Sequence, residues 1–154
     1  MTTKILMVCL GNICRSPLAH GLLASKLDDS HYEVDSAGTS NYHIDSLPDS
    51  RSIAVAKKYG LDITDQRGRQ FKAADFEIYD YIYVMDGMNY RDVISLSRKQ
   101  KNKDKVHLIL NEIYPGEDLN VPDPYHGGDQ GFENVYQMLD EATTAIAEKL
   151  KQNA

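Results

Sequence analysis

Strand-like apolar runs alternate along this chain with stripes of apolar residues at helical spacing, and that alternation restricts the fold more than any other feature. Lys4–Cys9 reads as a buried strand, because its apolar run is too continuous for a strand with one wet face. Ser16 and Pro17 then offer an N-cap and a proline for the first helical turn, and Leu18, Leu22, Leu23 and Leu27 follow at helical spacing. A second strand over Tyr32–Ala37 ends at Gly38, and residues 39–48 read as a loop. Asp49 or Ser50 caps a helix that runs to Tyr59 and stops at Gly60. The next region is ambiguous. Beyond it the pattern predicts a short helix at Ala73–Tyr79, a third strand at Tyr81–Met85 and a helix carrying Met88, Val93, Ile94 and Leu96. A fourth strand follows at Val106–Leu110. A loop rich in Pro, Gly and Asp runs to residue 131, after which Phe132, Val135, Tyr136, Leu139, Ala142, Ile146 and Leu150 mark a long amphipathic helix.

Parallel strands need crossover connections, and these place helices on the faces of a sheet. The expected fold is therefore α/β: a single three-layer domain over residues 1–154, with a four-stranded, mainly parallel sheet and helices on both faces. Ligands of such sheets bind beyond the carboxyl ends of the strands. Two segments reach that edge, Cys9–Ser16 after the first strand and Asp123-Pro124-Tyr125 in the loop after the fourth. A composition of 42% hydrophobic and 26% charged residues excludes a wholly disordered chain, a collagen-like fibre and a membrane bundle. The early apolar run, Ile5–Leu10, is too short for a membrane span or a signal-peptide core, so the cytoplasm is the expected compartment. A formal charge of −6 carries no nucleic-acid footprint, and the one basic cluster, Arg98–Lys105, reads as solvated surface or a docking patch.

The segment Cys9-Leu10-Gly11-Asn12-Ile13-Cys14-Arg15-Ser16-Pro17 is a strand end, a tight loop and a helix start. Wrapped around an anion, such a loop aims successive backbone N–H groups inward, and the following helix adds the positive end of its dipole. Phosphate is the natural guest. Gly11 supplies conformational freedom, Asn12 tolerates a left-handed backbone, and Arg15 offers a planar fork for two oxygens. A cysteine at the base of this pocket is a candidate nucleophile, since positive surroundings favour its thiolate. The competing reading of Cys9 is a small, inert strand residue. Two cysteines in all make neither a disulfide framework nor a four-ligand zinc site.

These residues resemble the signature loop of the low-molecular-weight protein tyrosine phosphatases, and Asp123-Pro124-Tyr125 resembles that family's general-acid loop. The similarity extends over nearly the whole chain, through Asp35–Ser40, Arg69-Gln70, Asp80–Ile82 and Phe132–Tyr136. The resemblance implies hydrolysis of phosphotyrosine in proteins, and of small aryl phosphates, without metal or cofactor. Cys9 would attack phosphorus, Arg15 and the loop residues Leu10, Gly11, Asn12, Ile13 and Cys14 would hold the phosphoryl oxygens, and Asp123 would act as general acid and then base. Ser16 would cap the helix or hydrogen-bond the Cys9 sulfur, and Asn12 would brace the loop, with Ser36 as its partner. Tyr42 and Tyr125 would form aromatic walls around a phenyl ring. The expected partners are phosphotyrosine-containing protein substrates, without nucleic acid or membrane, and the protein itself is expected to be a monomer or weak dimer.

The chain departs from the family pattern at three positions. His20 stands where many relatives have glutamate, Gln66 near a usual histidine, and His126 in place of a second tyrosine. His20 and Gln66 are able to share a neutral hydrogen bond. Three alternatives compete. Arsenate reductase on the same fold needs resolving thiols, and no cysteine follows Cys14. Protein arginine phosphatase has threonine where Ile13 stands. A non-catalytic oxyanion-binding or redox module would leave the pairing of Cys9 with Asp123 without a purpose.

Overall fold

Strand β1 (Thr3–Cys9) alternates its side chains between two apolar layers, Ile5, Met7 and Cys9 toward one and Leu6 and Val8 toward the other. The computed structural model describes residues 2–153 and sets β1 beside β2 (Tyr32–Gly38), β3 (Tyr81–Val84) and β4 (Val106–Leu108). The strand order is β2-β1-β3-β4, and each pairing among the described residues is parallel. The helices in chain order are α1 (Arg15–Lys26), α2 (Ser50–Lys58), α3 (Asp75–Ile78), α4 (Gly87–Ile94), α5 (Gln100–Lys103) and α6 (Gly128–Gln152). Helices α1, α2 and α6 bury Leu18, Val55 and Leu139 in the layer of Met7, whereas α3 and α4 bury Phe76 and Val93 against Leu6. The fold is thus a three-layer α/β arrangement, as the alternating pattern predicts.

From β1 the chain crosses to β2 on one side and later returns to β3 on the other. That reversal opens a crevice at the carboxyl ends of β1 and β3, where Cys9 is the last residue of β1. Several boundaries differ from the sequence pattern. Ile109 and Leu110 leave the fourth strand for a 3₁₀ turn over Ile109–Glu112, because a fully buried apolar run has no period to separate strand from turn. Helix α6 starts at Gly128, ahead of Phe132, since its first turn contains no apolar residue to mark it. Helix α1 starts at Arg15, so Pro17 stands third in the first turn, where its missing N–H has no helical partner to lose. Asp49 caps α2 by accepting from the Arg51 N–H at 2.9 Å. The basic cluster folds in part as the short helix α5, with Asn102 buried.

The ambiguous stretch ends on the edge of the sheet. Gly38 pairs with Gln70 in a parallel bridge, donating to the Arg69 carbonyl at 2.8 Å and accepting from the Phe71 N–H at 2.7 Å. Gly38 also bears the Cys9–Arg15 loop: a Cβ there would lie 2.8 Å from the Leu10 carbonyl oxygen and 3.1 Å from the Asn12 nitrogen. Backbone must move to admit a methyl group. Gly38→Ala is expected to lower stability by about 1–3 kcal/mol, the usual cost of overpacking, and to weaken binding of inorganic phosphate. Urea unfolding and competitive inhibition by phosphate check this; unchanged phosphate affinity would mean that Gly38 does not shape the loop.

Candidate functional site

The loop between β1 and α1 encloses the Cys9 sulfur with hydrogen-bond donors. Cys9 is 2% exposed, and its Sγ accepts from the Asn12 N–H at 3.2 Å. Asn12 has a left-handed backbone with φ of 56°, a conformation that asparagine tolerates better than most residues. Its side-chain Oδ1 accepts from the Arg69 N–H at 3.1 Å, while Nδ2 donates to Ser16 Oγ at 2.7 Å. Because Asn12 Nδ2 can only donate, Ser16 Oγ accepts there and gives its own hydrogen to Cys9 Sγ, 3.0 Å away. A chain of donors from Arg69 through Asn12 and Ser16 therefore ends on the sulfur. Ser16 lies inside α1 and caps nothing, and Asn12 pairs with Ser16 and Arg69 instead of Ser36. The expected capping bond and the expected Asn12–Ser36 bond are both absent among the described residues, because the helix begins early enough to turn Ser16 under the loop.

The second thiol is opposite in character. Cys14 is buried and pushed up to about 12, first by burial and then by Asp49, Cys9 and Asp123, so it remains a neutral thiol. Gly11 has no positive φ; a Cβ on it would approach His43 Cδ2 to 3.0 Å, so glycine here makes room for His43.

Arg15 is 3% exposed, and its Nη1 donates to Asp86 Oδ2 at 2.8 Å and to the Val121 carbonyl at 2.9 Å. Asp86 follows β3 and caps α4 with its other oxygen, accepting from the Asn89 N–H at 2.8 Å. The Val121 N–H donates to the Met85 carbonyl at 2.8 Å, which fixes the chain two residues ahead of Asp123. Asp123 Oδ1 accepts from the Tyr125 N–H at 3.0 Å. A cavity of about 220 Å³ brings together Cys9, Leu10, Gly11, Ile13, Cys14, Arg15, Asp123 and Tyr125. His43 and His126 complete its wall. Asn12 and Ser16 lie behind the loop. Tyr42 is 78% exposed and stands apart from the cavity, its expected place as a wall taken by the next residue, His43. Tyr125 lines the cavity at 44% exposure, edge-on to His126 with ring centres 5.0 Å apart.

Sequence reasoning missed His43 and Asp86. Nothing in a polar loop marks the direction of one side chain, whereas an aspartate at the carboxyl end of β3 carried a usable signal, since ligands of this sheet bind at that edge. Among the described residues, no group of three or more His, Cys, Asp or Glu side chains is arranged to hold a metal ion. Nor is any helix long and apolar enough to cross a membrane.

A cysteine under converging donors, a buried arginine fork and a carboxyl thus line one cavity, the set of groups that covalent phosphoryl transfer calls for. The chain belongs to the low molecular weight phosphotyrosine protein phosphatase family, whose profile matches residues 4–154. It is 39% identical over 153 residues to the low molecular weight phosphotyrosine protein phosphatase of Homo sapiens, covering 96% of each chain. The protein tyrosine phosphatase structure from Entamoeba histolytica superimposes with a TM-score of 0.90 at 35% identity, covering 99% of each chain. Vibrio vulnificus Wzb in complex with benzylphosphonate has a TM-score of 0.86 at 31% identity, over 97% of this chain and 99% of that one.

At the departures from the family's usual pattern, His20 and Gln66 each take a further partner. His20 Nδ1 pairs with Ser36 Oγ at 3.1 Å, while Gln66 Nε2 donates to the Pro17 carbonyl at 3.0 Å. Burial pushes His20 below its ordinary value, outweighing the pull of Asp35 and Asp65 and of a side-chain hydrogen bond with Gln66. The unfolded chain then binds the proton more readily than the folded one, so stability is lost as pH falls below 6.5 toward the folded value. His107, lowered by burial and Lys149, contributes in the same sense. Urea midpoints on either side of that pH should therefore fall more steeply with acid in the wild type than in His20→Gln. Equal slopes would remove His20 as a titrating group.

Proposed function

We propose that this chain, as one catalytic domain, hydrolyses phosphotyrosine in proteins, and small aryl phosphates, through a phosphocysteine formed on Cys9. The observation that carries this reading is the line of donors ending on the Cys9 sulfur within a cavity walled by Arg15 and Asp123. The thiolate attacks phosphorus as the bond to the phenolic oxygen breaks. The electron pair leaves on that oxygen, which takes the proton of Asp123. Arg15 and the loop N–H groups bind the phosphoryl oxygens through both steps. Water then attacks the phosphocysteine, gives its proton to the Asp123 carboxylate and expels the sulfur, which recovers the hydrogen bond of Ser16.

The depth of Cys9 favours a phosphorylated phenol over the shorter phosphoserine. The aliphatic Ile13 on the wall supports a ring and offers no acceptor to the N–H groups of phosphoarginine, which favours tyrosine over arginine phosphate. Both cysteines are free thiols, and a mechanism that needs Cys9 reduced suits the cytoplasm.

Cys9→Ser should abolish turnover of aryl phosphates while inorganic phosphate still binds, and acid quenching of the wild type should trap phosphate on Cys9. Turnover by Cys9→Ser, or quenched enzyme without bound phosphate, would exclude the covalent route. Asp123→Asn should slow phenyl phosphate by about 10²–10⁴-fold, the usual range for a general acid, and dinitrophenyl phosphate far less, because a weakly basic leaving group departs unprotonated. Rate loss independent of leaving group would assign the proton to another residue, with His126 next in line.

A further inference from the structure

We propose that Arg51 is a positioning residue for Asp123, fastening the loop that carries the acid to the loop that carries the nucleophile. The inference rests on the reading of Asp123 given above and extends it to a side chain outside the cavity. Arg51 is the second residue of α2, and that end of the helix is attached to the nucleophile loop at two carbonyls. The Asp49 N–H donates to the Ile13 oxygen at 2.8 Å, and Ser52 Oγ donates to the Cys14 oxygen at 3.2 Å. Both oxygens of Asp49 are taken by Arg51, Oδ1 by Nε and Oδ2 by Nη2, each at 3.0 Å. That paired geometry fixes the plane of the guanidinium. Its remaining nitrogen, Nη1, donates to the Tyr125 carbonyl at 2.8 Å, two residues beyond Asp123.

The rings of Tyr125 and Phe132 hold the same plane, their centres 5.1 and 4.5 Å from the guanidinium carbon. Tyr125 is thus held through its carbonyl by Arg51 and holds Asp123 through its N–H at 3.0 Å. The acid loop is fastened on both sides of Asp123, upstream at Val121 by Met85 and Arg15, downstream at Tyr125 by Arg51 alone among the described side chains. The hydrogen bond from Arg51 also holds the Asp49 carboxyl below the usual carboxylate range. The pair therefore stays charged under mildly acidic conditions. With its charge matched by Asp49 and all three nitrogens directed at protein oxygens, Arg51 is built to hold a loop rather than to attract substrate.

The experiment compares kcat/KM for phenyl phosphate with kcat/KM for dinitrophenyl phosphate on one sample of each protein, so that any unfolded fraction cancels in the ratio. Arg51→Gln keeps a polar side chain and loses the charge and the fork; Arg51→Lys keeps the charge on a single donor nitrogen. A displaced acid should lower the phenyl-to-dinitrophenyl ratio about tenfold in Arg51→Gln and by a smaller factor in Arg51→Lys. Inhibition by inorganic phosphate should stay within about twofold of wild type, since the oxyanion loop keeps its own donors. A general loss of structure would depress both substrates and phosphate binding together and leave the ratio unmoved. An unchanged ratio in Arg51→Gln overturns the inference; if that variant does not fold, an unchanged ratio in Arg51→Lys does so. Asp123→Asn, measured alongside, separates the two claims. If its ratio falls and that of the Arg51 variants does not, Arg51 alone is excluded, whereas an unmoved ratio in Asp123→Asn removes the acid role itself.

Discussion

The hydrogen bond from Ser16 to the Cys9 sulfur depends on a direction that only Asn12 supplies. A serine hydroxyl rotates freely, and its hydrogen goes wherever an acceptor waits. The Asn12 amide meets Ser16 with a donor at 2.7 Å and meets the Arg69 N–H with its acceptor at 3.1 Å, so the Ser16 hydrogen is left for sulfur. Aspartate has nearly the same shape but would accept from both neighbours and turn that hydrogen away. The left-handed backbone of Asn12 serves the same end, because it turns the residue's own N–H onto the sulfur at 3.2 Å. One residue thus supplies both the backbone donor and the orientation of the hydroxyl, and the adjacent thiol of Cys14, which burial and nearby acids keep protonated, does not compete as a nucleophile.

That loop is carried by parts of the chain far apart in sequence. Its first donor, the Arg69 N–H, belongs to a segment paired with Gly38 and anchored by the Arg69 guanidinium on both oxygens of Asp75, at 3.1 and 3.2 Å. Gly38 approaches the loop so closely that no side chain fits between. On the other flank, Asp86 at the end of β3 holds Arg15 while capping α4. The parallel sheet aligns these ends at a single edge, and strand order brings β1 and β3 side by side there.

The loop, its cysteine and the aspartate of the acid loop were legible because strand end, glycine, arginine and Ser-Pro helix start are local signals, and the resemblance joined them to Asp123. The partner of Asn12 was not. Ser36 and Ser16 are equally plausible in a string of letters, and only the start of α1 at Arg15 turns Ser16 beneath the loop. The exchange of Tyr42 for His43 on the wall has the same origin, since neighbouring residues of an irregular loop face different ways without a period to tell them apart. Arg51 and Asp86 act through residues 74 and 71 positions away, at Tyr125 and Arg15, a pairing that no local pattern contains. Residues 61–72 lacked a period because their role is to meet the sheet edge and the loop by backbone contacts, which leave little trace in side-chain type.

The tethering of Arg15 explains why arginine and not lysine suits this position. A cation almost wholly buried is costly unless its charge is matched, and Asp86 matches it at 2.8 Å. Both protein acceptors, however, fall on the same nitrogen, Nη1. Two contacts on one corner fix the plane of the guanidinium while its Nε and Nη2 donors remain without a protein acceptor among the described residues, on a side chain that lines the cavity. Lysine has one nitrogen with three N–H groups, so the same two acceptors would leave it a single donor and no planar pair for the phosphoryl oxygens. The fork lets Arg15 be held rigidly by the protein and still present paired donors to a phosphoryl group, so that rigidity and binding do not compete for the same atoms.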